Sequence, residues 1–344
     1  MHNLVVILVG LLLVSACNDQ VRETKEFPKH IVLTANKKEI NEVIKPVNMV
    51  IHGNFLIIQN DRIPDAACFY VYTLDSLEYL YSFGSLGGGE EEFVAPRIIY
   101  HNSDNALFSV FDQRTRNIKM YDITDEGASL KSNDIRVNEP TGFPLQELAF
   151  LNDSILLYLT TDNYLVSYNI NAGNIIDSIG FETGIESALG DKYNQTIDFF
   201  HFANQNNKIV MGHNFIDKLS LNECRDDGMF EHKLLSLKSN VSNNINGKLY
   251  ENIYRYIYVN STSDLIFAQY SGYKFKTLQP FPMNIGKRHF DFLMEVYDWD
   301  LNPKALLEFD NDILRCTIDE RRKRIITWDP LSDLDHLLVY SYDL

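Results

Sequence analysis

Positive charge is in short supply in this sequence: 31 Lys and Arg stand against 47 Asp and Glu, a formal net charge of -16 over 344 residues. Such a balance repels phosphate backbones and anionic lipid surfaces, which sets nucleic acid aside as a partner. Cysteine is scarce as well. Apart from Cys17, only Cys68, Cys224 and Cys316 occur, far apart and without C-x-x-C or Cys/His spacing, so neither a disulfide framework nor a zinc site is indicated and buried thiols are expected. No G-x-S-x-G and no H-E-x-x-H is present, and the nine histidines are scattered. No catalytic residue is therefore assigned; a triad assembled across distant segments carries no sequence signature. The apolar run Leu4 to Val14 is too short to span a bilayer comfortably.

Aromatic residues, by contrast, are plentiful, with 19 Tyr and 21 Phe in a chain that is 45% hydrophobic, a composition that suits strands better than helices. A short core of one aromatic or apolar residue, one small polar residue and one apolar residue recurs. It reads Tyr72-Thr73-Leu74, Tyr121-Asp122-Ile123, Tyr168-Asn169-Ile170, Leu219-Ser220-Leu221, Tyr297-Asp298-Trp299 and Tyr342-Asp343-Leu344. The steps between copies are about 49, 47, 51, 78 and 45 residues, where a four-stranded propeller blade takes roughly 40 to 50. In the first repeat, Val47 to Ile51, Phe55 to Ile58, Phe69 to Leu74 and Leu77 to Phe83 read as four strands divided by turn residues. A β-helix coil is about half this long, and a sandwich does not repeat its motif six times. The expected fold is all-β, a six-bladed β-propeller with one repeat carrying an insertion.

The leader ends Val14-Ser15-Ala16-Cys17, small residues before a cysteine, which resembles the bacterial lipobox and implies acylation of Cys17. Residues 1–16 then form a signal peptide, 17–29 a lipidated cysteine with a polar linker, and 30–344 the propeller. The last repeat stops after its third strand. A ring lacks free edges only if a fourth is supplied, and the strand His30-Ile31-Val32-Leu33-Thr34 is the expected donor.

Three features together carry a family resemblance: the lipobox leader, the crossing Phe83-Gly84 to Gly87-Gly88-Gly89-Glu90-Glu91-Glu92-Phe93, and Tyr297-Asp298-Trp299-Asp300-Leu301-Asn302-Pro303 followed by Asp319 and Glu320. The sequence resembles the TolB-like six-bladed β-propeller lipoproteins of Gram-negative bacteria over essentially its whole length. That family's crossing usually ends Gly-Pro-Gly-Glu-Phe, and here Glu90 and Glu91 stand where Pro and Gly are expected. The resemblance implies a lipid-anchored protein of the cell envelope, with the outer membrane as the expected site, whose shared motifs are structural rather than catalytic.

Strand parity places the links between second and third strands on the same face as the crossings between blades. That face is expected to hold Asp61, Asp112, Arg114, Asp162, His213 and Asp329, and the excursion Ser271 to His289. The acidic side chains suit a hard cation such as calcium, but they stand at unequal distances from the repeat core, and turn-forming aspartate accounts for them equally. The run Gly87 to Gly89 lacks the following helix and Lys-Ser/Thr of a phosphate loop, and reads as a tight crossing that uses positive φ. In the excursion, Tyr273 and Phe275 interleave with Lys274, Lys276 and Arg288, a basic aromatic patch suited to acidic sugars or an acidic peptide, or else a loop folded on its own blade. The functional expectation is a binding or scaffolding module for an envelope protein or glycan, without a cofactor. The alternative is a calcium- or zinc-dependent hydrolase or lactonase using the central channel.

Overall fold

The computed structural model describes residues 26–101, 107–137, 147–160, 164–180, 200–215, 217–238, 253–274, 292–313, 315–329 and 333–344. They form six antiparallel blades, five of them four-stranded meanders and the sixth a three-stranded meander completed from the N-terminal side, and among the described residues there is no helix. Blade 1 runs Pro46–His52, Phe55–Asn60, Phe69–Thr73 and Tyr79–Phe83 from the axis outward. The inner strands of blades 2 to 6 are Pro96–Ile99, Leu148–Asn152, Phe200–Gln205, Ile253–Ser261 and Cys316–Asp319.

The second strands show why the sequence folds this way. A strand covered on both faces reads as a continuous apolar run. Ile155–Leu159 is such a run, buried at all five positions, whereas the outer strand Tyr79–Phe83 has no buried residue. Six hydrophobic clusters result, one at each junction between neighbouring blades. Phe69 and Val71 meet Phe108 and Val110 between blades 1 and 2, and Tyr70 and Tyr72 meet Ile326 and Trp328 between blades 6 and 1. At the junction of blades 4 and 5 the approach is too close for a side chain. A Cβ on Gly212 would stand 2.6 Å from Val259 Cγ2 and 3.0 Å from Tyr256 Cβ.

The ring closes with a different strand from the one anticipated. Asn36–Glu39 pairs antiparallel with Asp333–Ser341 and completes blade 6, with Asn36 opposite Val339. His30–Leu33 lies parallel to Pro303–Phe309, a fifth strand on the rim of blade 5. The charged Asn-Lys-Lys-Glu segment is the true closing strand because an outermost strand needs backbone pairing and tolerates charge on its open side. The polar linker also ends in a contact, since Phe27 meets Tyr297 edge-on at 5.6 Å between centroids.

Two copies of the repeat core shift. Tyr72, Tyr121, Tyr168 and Tyr297 are buried on third strands, near the start of the paired second strand. In blades 4 and 6 the matching positions are Asn222 and Tyr340, opposite Ile209 and Ile325, rather than Leu219 and Tyr342. The long step between the fourth and fifth copies of the repeat core is not all insertion, because it contains Phe230–Lys238, the outer strand of blade 4.

The crossing after blade 1 is tight for reasons other than those read from its triplet. Gly84, at φ +69°, is its one glycine in the left-handed region, and a Cβ there would lie 2.7 Å from Phe93. At Gly87 a Cβ would displace the Glu92 carboxylate, which accepts the Gly89 N–H at 2.7 Å, while Gly88 faces open space. Lys119 holds the loop from blade 2. Its ammonium donates to the Glu90 carbonyl at 2.6 Å and lies 4.8 Å from the Phe93 ring centroid.

Candidate functional site

The inner strands of all six blades line a central channel. Its cavity of about 250 Å³ opens on the face formed by the hairpins between first and second strands, at Gly53, Gln205, Ser263 and Glu320. Tyr100, Glu147 and Tyr258 border it inside the ring. Asn204 and Asn260 help line its wall, but their amides are occupied, donating to the Phe150 and Cys316 carbonyls. At the mouth, Ser263 donates both its N–H and its hydroxyl to the Glu320 carboxylate.

Tyr100 is placed by a local departure from its blade. It follows the inner strand of blade 2 but pairs with blade 3, donating its N–H to the Leu148 carbonyl and accepting from Phe150 N–H. The phenol consequently reaches inward, where its oxygen lies 3.1 Å from Tyr258 Oη and donates to Asn48 Oδ1 at 3.0 Å. Blades 2 and 5 are opposite members of a ring of six, so this tyrosine pair crosses the axis. Burial raises both phenols, so neither ionises near neutral pH.

On the other side of the pair the chemistry changes. Arg315 immediately precedes the inner strand of blade 6 with its guanidinium 5.5 Å from the Tyr258 ring centroid. Arg97 lies on the inner strand of blade 2, three residues before Tyr100. Arg97 keeps an exposed side chain, and partial loss of hydration inside the ring, with the charges of Arg315 and Arg62, pushes it below its usual value. Glu147, at the entrance to blade 3, accepts the Phe202 N–H at 2.8 Å and is the acid that favours both guanidiniums.

The residues singled out from sequence are placed as follows. Asp61, Asp112, Arg114, His213 and Asp329 do lie at the links between second and third strands. They do not converge. Asp61 pairs with Lys45 at 2.6 Å, which with the Arg62 N–H holds its carboxyl below the usual range. Asp112 accepts N–H groups from Val94, Ala95 and Arg114, so it staples the crossing to its blade. His213 is fully buried beside Ser220 Oγ at 2.9 Å, and burial lowers it to about 3. Asp329 is buried at the end of the second strand of blade 6. Tyr273 and Lys274 end a strand, with the Tyr273 ring edge-on to Phe292, whereas Cys17, Asp162, Phe275, Lys276 and Arg288 lie outside the described residues. Among the described residues no group of three His, Cys, Asp or Glu stands close enough to hold a metal ion. Cys68, Cys224 and Cys316 are free and buried, their thiols raised to about 11, 12 and 12 by desolvation.

Sequence reading missed a buried polar web between blades 4 and 5. Glu295 accepts from Tyr256 and Tyr297 hydroxyls, both at 2.8 Å, and Arg255 donates to Tyr270 Oη at 2.6 Å. A Glu and an Arg inside apolar strand patterns, Leu293–Asp298 and Ile253–Ser261, were the available signal. All five residues belong to blade 5 and none lines the cavity. The link to blade 4 is Asn214, whose side-chain amide donates to the Tyr256 carbonyl, so the web's role is structural.

Six blade sheets around a lined channel define a six-bladed β-propeller. No family model matches the sequence, and no curated protein matches it. Among solved structures, the fold is similar to a member of the DUF4221 family from Bacteroides vulgatus, with a TM-score of 0.60 at 11% identity over 90% of this chain and 98% of that one. It is also similar to Raptor from Chaetomium thermophilum, with a TM-score of 0.51 at 13% identity over 92% of this chain and 29% of that one. At these identities the likeness is one of fold.

Proposed function

We propose that this chain is a TolB-like, lipid-anchored propeller of the bacterial cell envelope that binds a protein or glycan partner, with the open half of its channel as the receiving pocket. The observation that carries the reading is the 250 Å³ cavity lined by five of the inner strands and by Tyr100 and His101 just after the sixth, bordered inside by a tyrosine pair and rimmed by Gln205, Ser263 and Glu320. Ligand sites favour concave, largely preformed places with a few convergent polar groups. Support for the anchor comes from the leader ending at Cys17 and the polar residues after it. Under this reading no cofactor takes part.

Two variants decide between the faces of the ring. Gln205→Trp and Ser263→Trp fill the cavity mouth, while Lys274→Glu with Lys276→Glu and Arg288→Glu reverses the charges that the sequence leads one to expect on the opposite face. Crosslinking in intact cells with the full chain is expected to lose its partner in the first variant and keep it in the second. Capture that survives the tryptophans and fails with the glutamates moves the site to the crossing face, and labelled palmitate on a Cys17→Ala chain removes the anchor.

A further inference from the structure

The chain joins the propeller at a fixed place, and that place is on the mouth side of the ring. Phe27 sets its ring edge-on to Tyr297 at 5.6 Å and packs against the cluster at the junction of blades 4 and 5, which includes Trp299 and Leu301. Those two residues form the hairpin between the third and fourth strands of blade 5. Trp299 Nε1 donates to the Thr262 carbonyl at 3.1 Å, and Thr262 and Ser263 line the open cavity. A short series of contacts therefore leads from the point of entry to the cavity rim.

From Phe27 onward the chain is held down. Pro28 disfavours helical backbone at Phe27, so the segment enters extended. The Lys29 carbonyl accepts the Leu306 N–H at 2.9 Å, His30–Leu33 runs parallel to Pro303–Phe309, and the Ala35 N–H meets both oxygens of the Asp310 carboxylate at 3.2 Å. Leu33 is buried beneath this rim strand, while Val32 is 66% exposed on its outer side. Lengths then decide what the attachment does. Nine residues separate Cys17 from Phe27, a leash of about 35 Å at full stretch and about 17 Å when relaxed. A body of some 320 residues is about 50 Å across. The leash is shorter than the body it holds, so the face it leaves from stays nearest the attachment point. A net charge of -16 gives the body no adhesion to an anionic bilayer that would compete with the leash.

We propose that Phe27 to Leu33 is an orientation clamp, which fixes the exit of the anchor on the mouth side so that the open cavity faces the membrane holding Cys17 and receives a partner projecting from that same bilayer. The crossing face is turned to the bulk. This rests on the anchor and the pocket proposed above, and adds the direction from which the pocket is reached.

Fluorescence quenching on vesicles tests it. Asn54 and Arg62 are exposed beyond the two ends of Phe55–Asn60, Asn54 in the mouth-side hairpin and Arg62 on the crossing face, and the buried Cys68, Cys224 and Cys316 do not compete for a thiol dye. Asn54→Cys and Arg62→Cys chains are attached to phosphatidylcholine vesicles carrying a headgroup quencher, once through acylated Cys17 and once through a hexahistidine tag in place of Cys17 on nickel-chelating lipid. In both arms the dye at 54 is expected to be quenched at least twofold more than the dye at 62. Biotin at the same positions is expected to be captured by streptavidin from the bulk several-fold more slowly at 54. Phe27→Ala with Ile31→Pro lengthens the leash to seventeen residues, and a Gly-Ser insertion of about twenty residues before Phe27 does so without touching the fold. Each is expected to bring the quenching ratio close to one. Equal quenching at the two positions of the parent, or an undiminished ratio in the insertion variant, overturns the clamp. Equal streptavidin capture overturns the assignment of the partner to the bilayer. Failure of the acyl arm alone to hold vesicles removes the anchor proposed above, while the tagged arm still reports the orientation.

Discussion

Tyr100 Oη and Tyr258 Oη lie 3.1 Å apart and form a bar across the axis, tying together blades that share no backbone pairing. A hydrogen bond of this kind contributes about 0.5–1.5 kcal/mol net. Tyr258→Phe is expected to cost about 1 kcal/mol and Tyr100→Phe somewhat more, because Asn48 Oδ1 also loses a donor. The double variant should reveal a coupling of about 0.5 kcal/mol or more in a denaturation cycle. Strict additivity would show that the two phenols do not act together.

Acid should weaken the fold through two histidines. Burial lowers His213 to about 3 and His101 to about 4, against 6.5 for the free side chain. Both are neutral in the fold at pH 5, while the unfolded chain has taken up their protons. Stability is therefore expected to fall as pH drops below about 6.5, each histidine adding a slope that approaches about 1.4 kcal/mol per pH unit. The loss continues down to the folded values. In His213→Gln the slope between pH 6 and 4 should be lower by about one proton, measured from urea midpoints at several pH values. An unchanged slope would locate the acid sensitivity elsewhere.

The glycines divide into those the fold needs and those it does not. Gly212→Ala forces a methyl group against Val259 and Tyr256, and overpacking of this type costs about 1–3 kcal/mol. Gly84→Ala adds left-handed strain to the collision with Phe93, and is expected to cost at least as much. Gly88→Ala, in open space, should stay within about 0.5 kcal/mol of the parent. Equal costs at positions 84 and 88 would mean the crossing is held by something other than the contact with Phe93.

Truncation separates the two N-terminal strands. A chain beginning at Ala35 loses the rim strand of blade 5 but keeps Asn36–Glu39, and is expected to remain monomeric with a cooperative melt. A chain beginning at Ile40 leaves Asp333–Ser341 with an open edge, and is expected to aggregate or melt at markedly lower temperature. Size-exclusion chromatography and a melting curve distinguish them. If both behave alike, the closing strand contributes little.

The sequence was more legible in its strands than in its channel. A recurring core, tyrosine in five of its six copies, revealed the blades because most third strands meet the same packing demand, as Tyr72 and Tyr168 do. The closing strand escaped notice because Asn36–Glu39 has no apolar residue, and its place is set by a partner some 300 residues away. Blade 4 broke the motif because Asn222 is buried where the other blades use tyrosine. Tyr100, Tyr258, Arg97 and Arg315 are unreadable as a group for a geometric reason. They come from three blades, and nothing local to any one of them announces the axis they share.

The pairing of Asn36 with Val339 also has a consequence in time. During synthesis the first strand leaves the ribosome long before its partner exists, so five blades can form while the ring still stands open. Closure waits for the final residues of the chain and for the entropy of joining ends that are hundreds of residues apart. Until then Asn36–Glu39 is an unclaimed edge, and its lysines and glutamate are what keep it from claiming a neighbouring molecule.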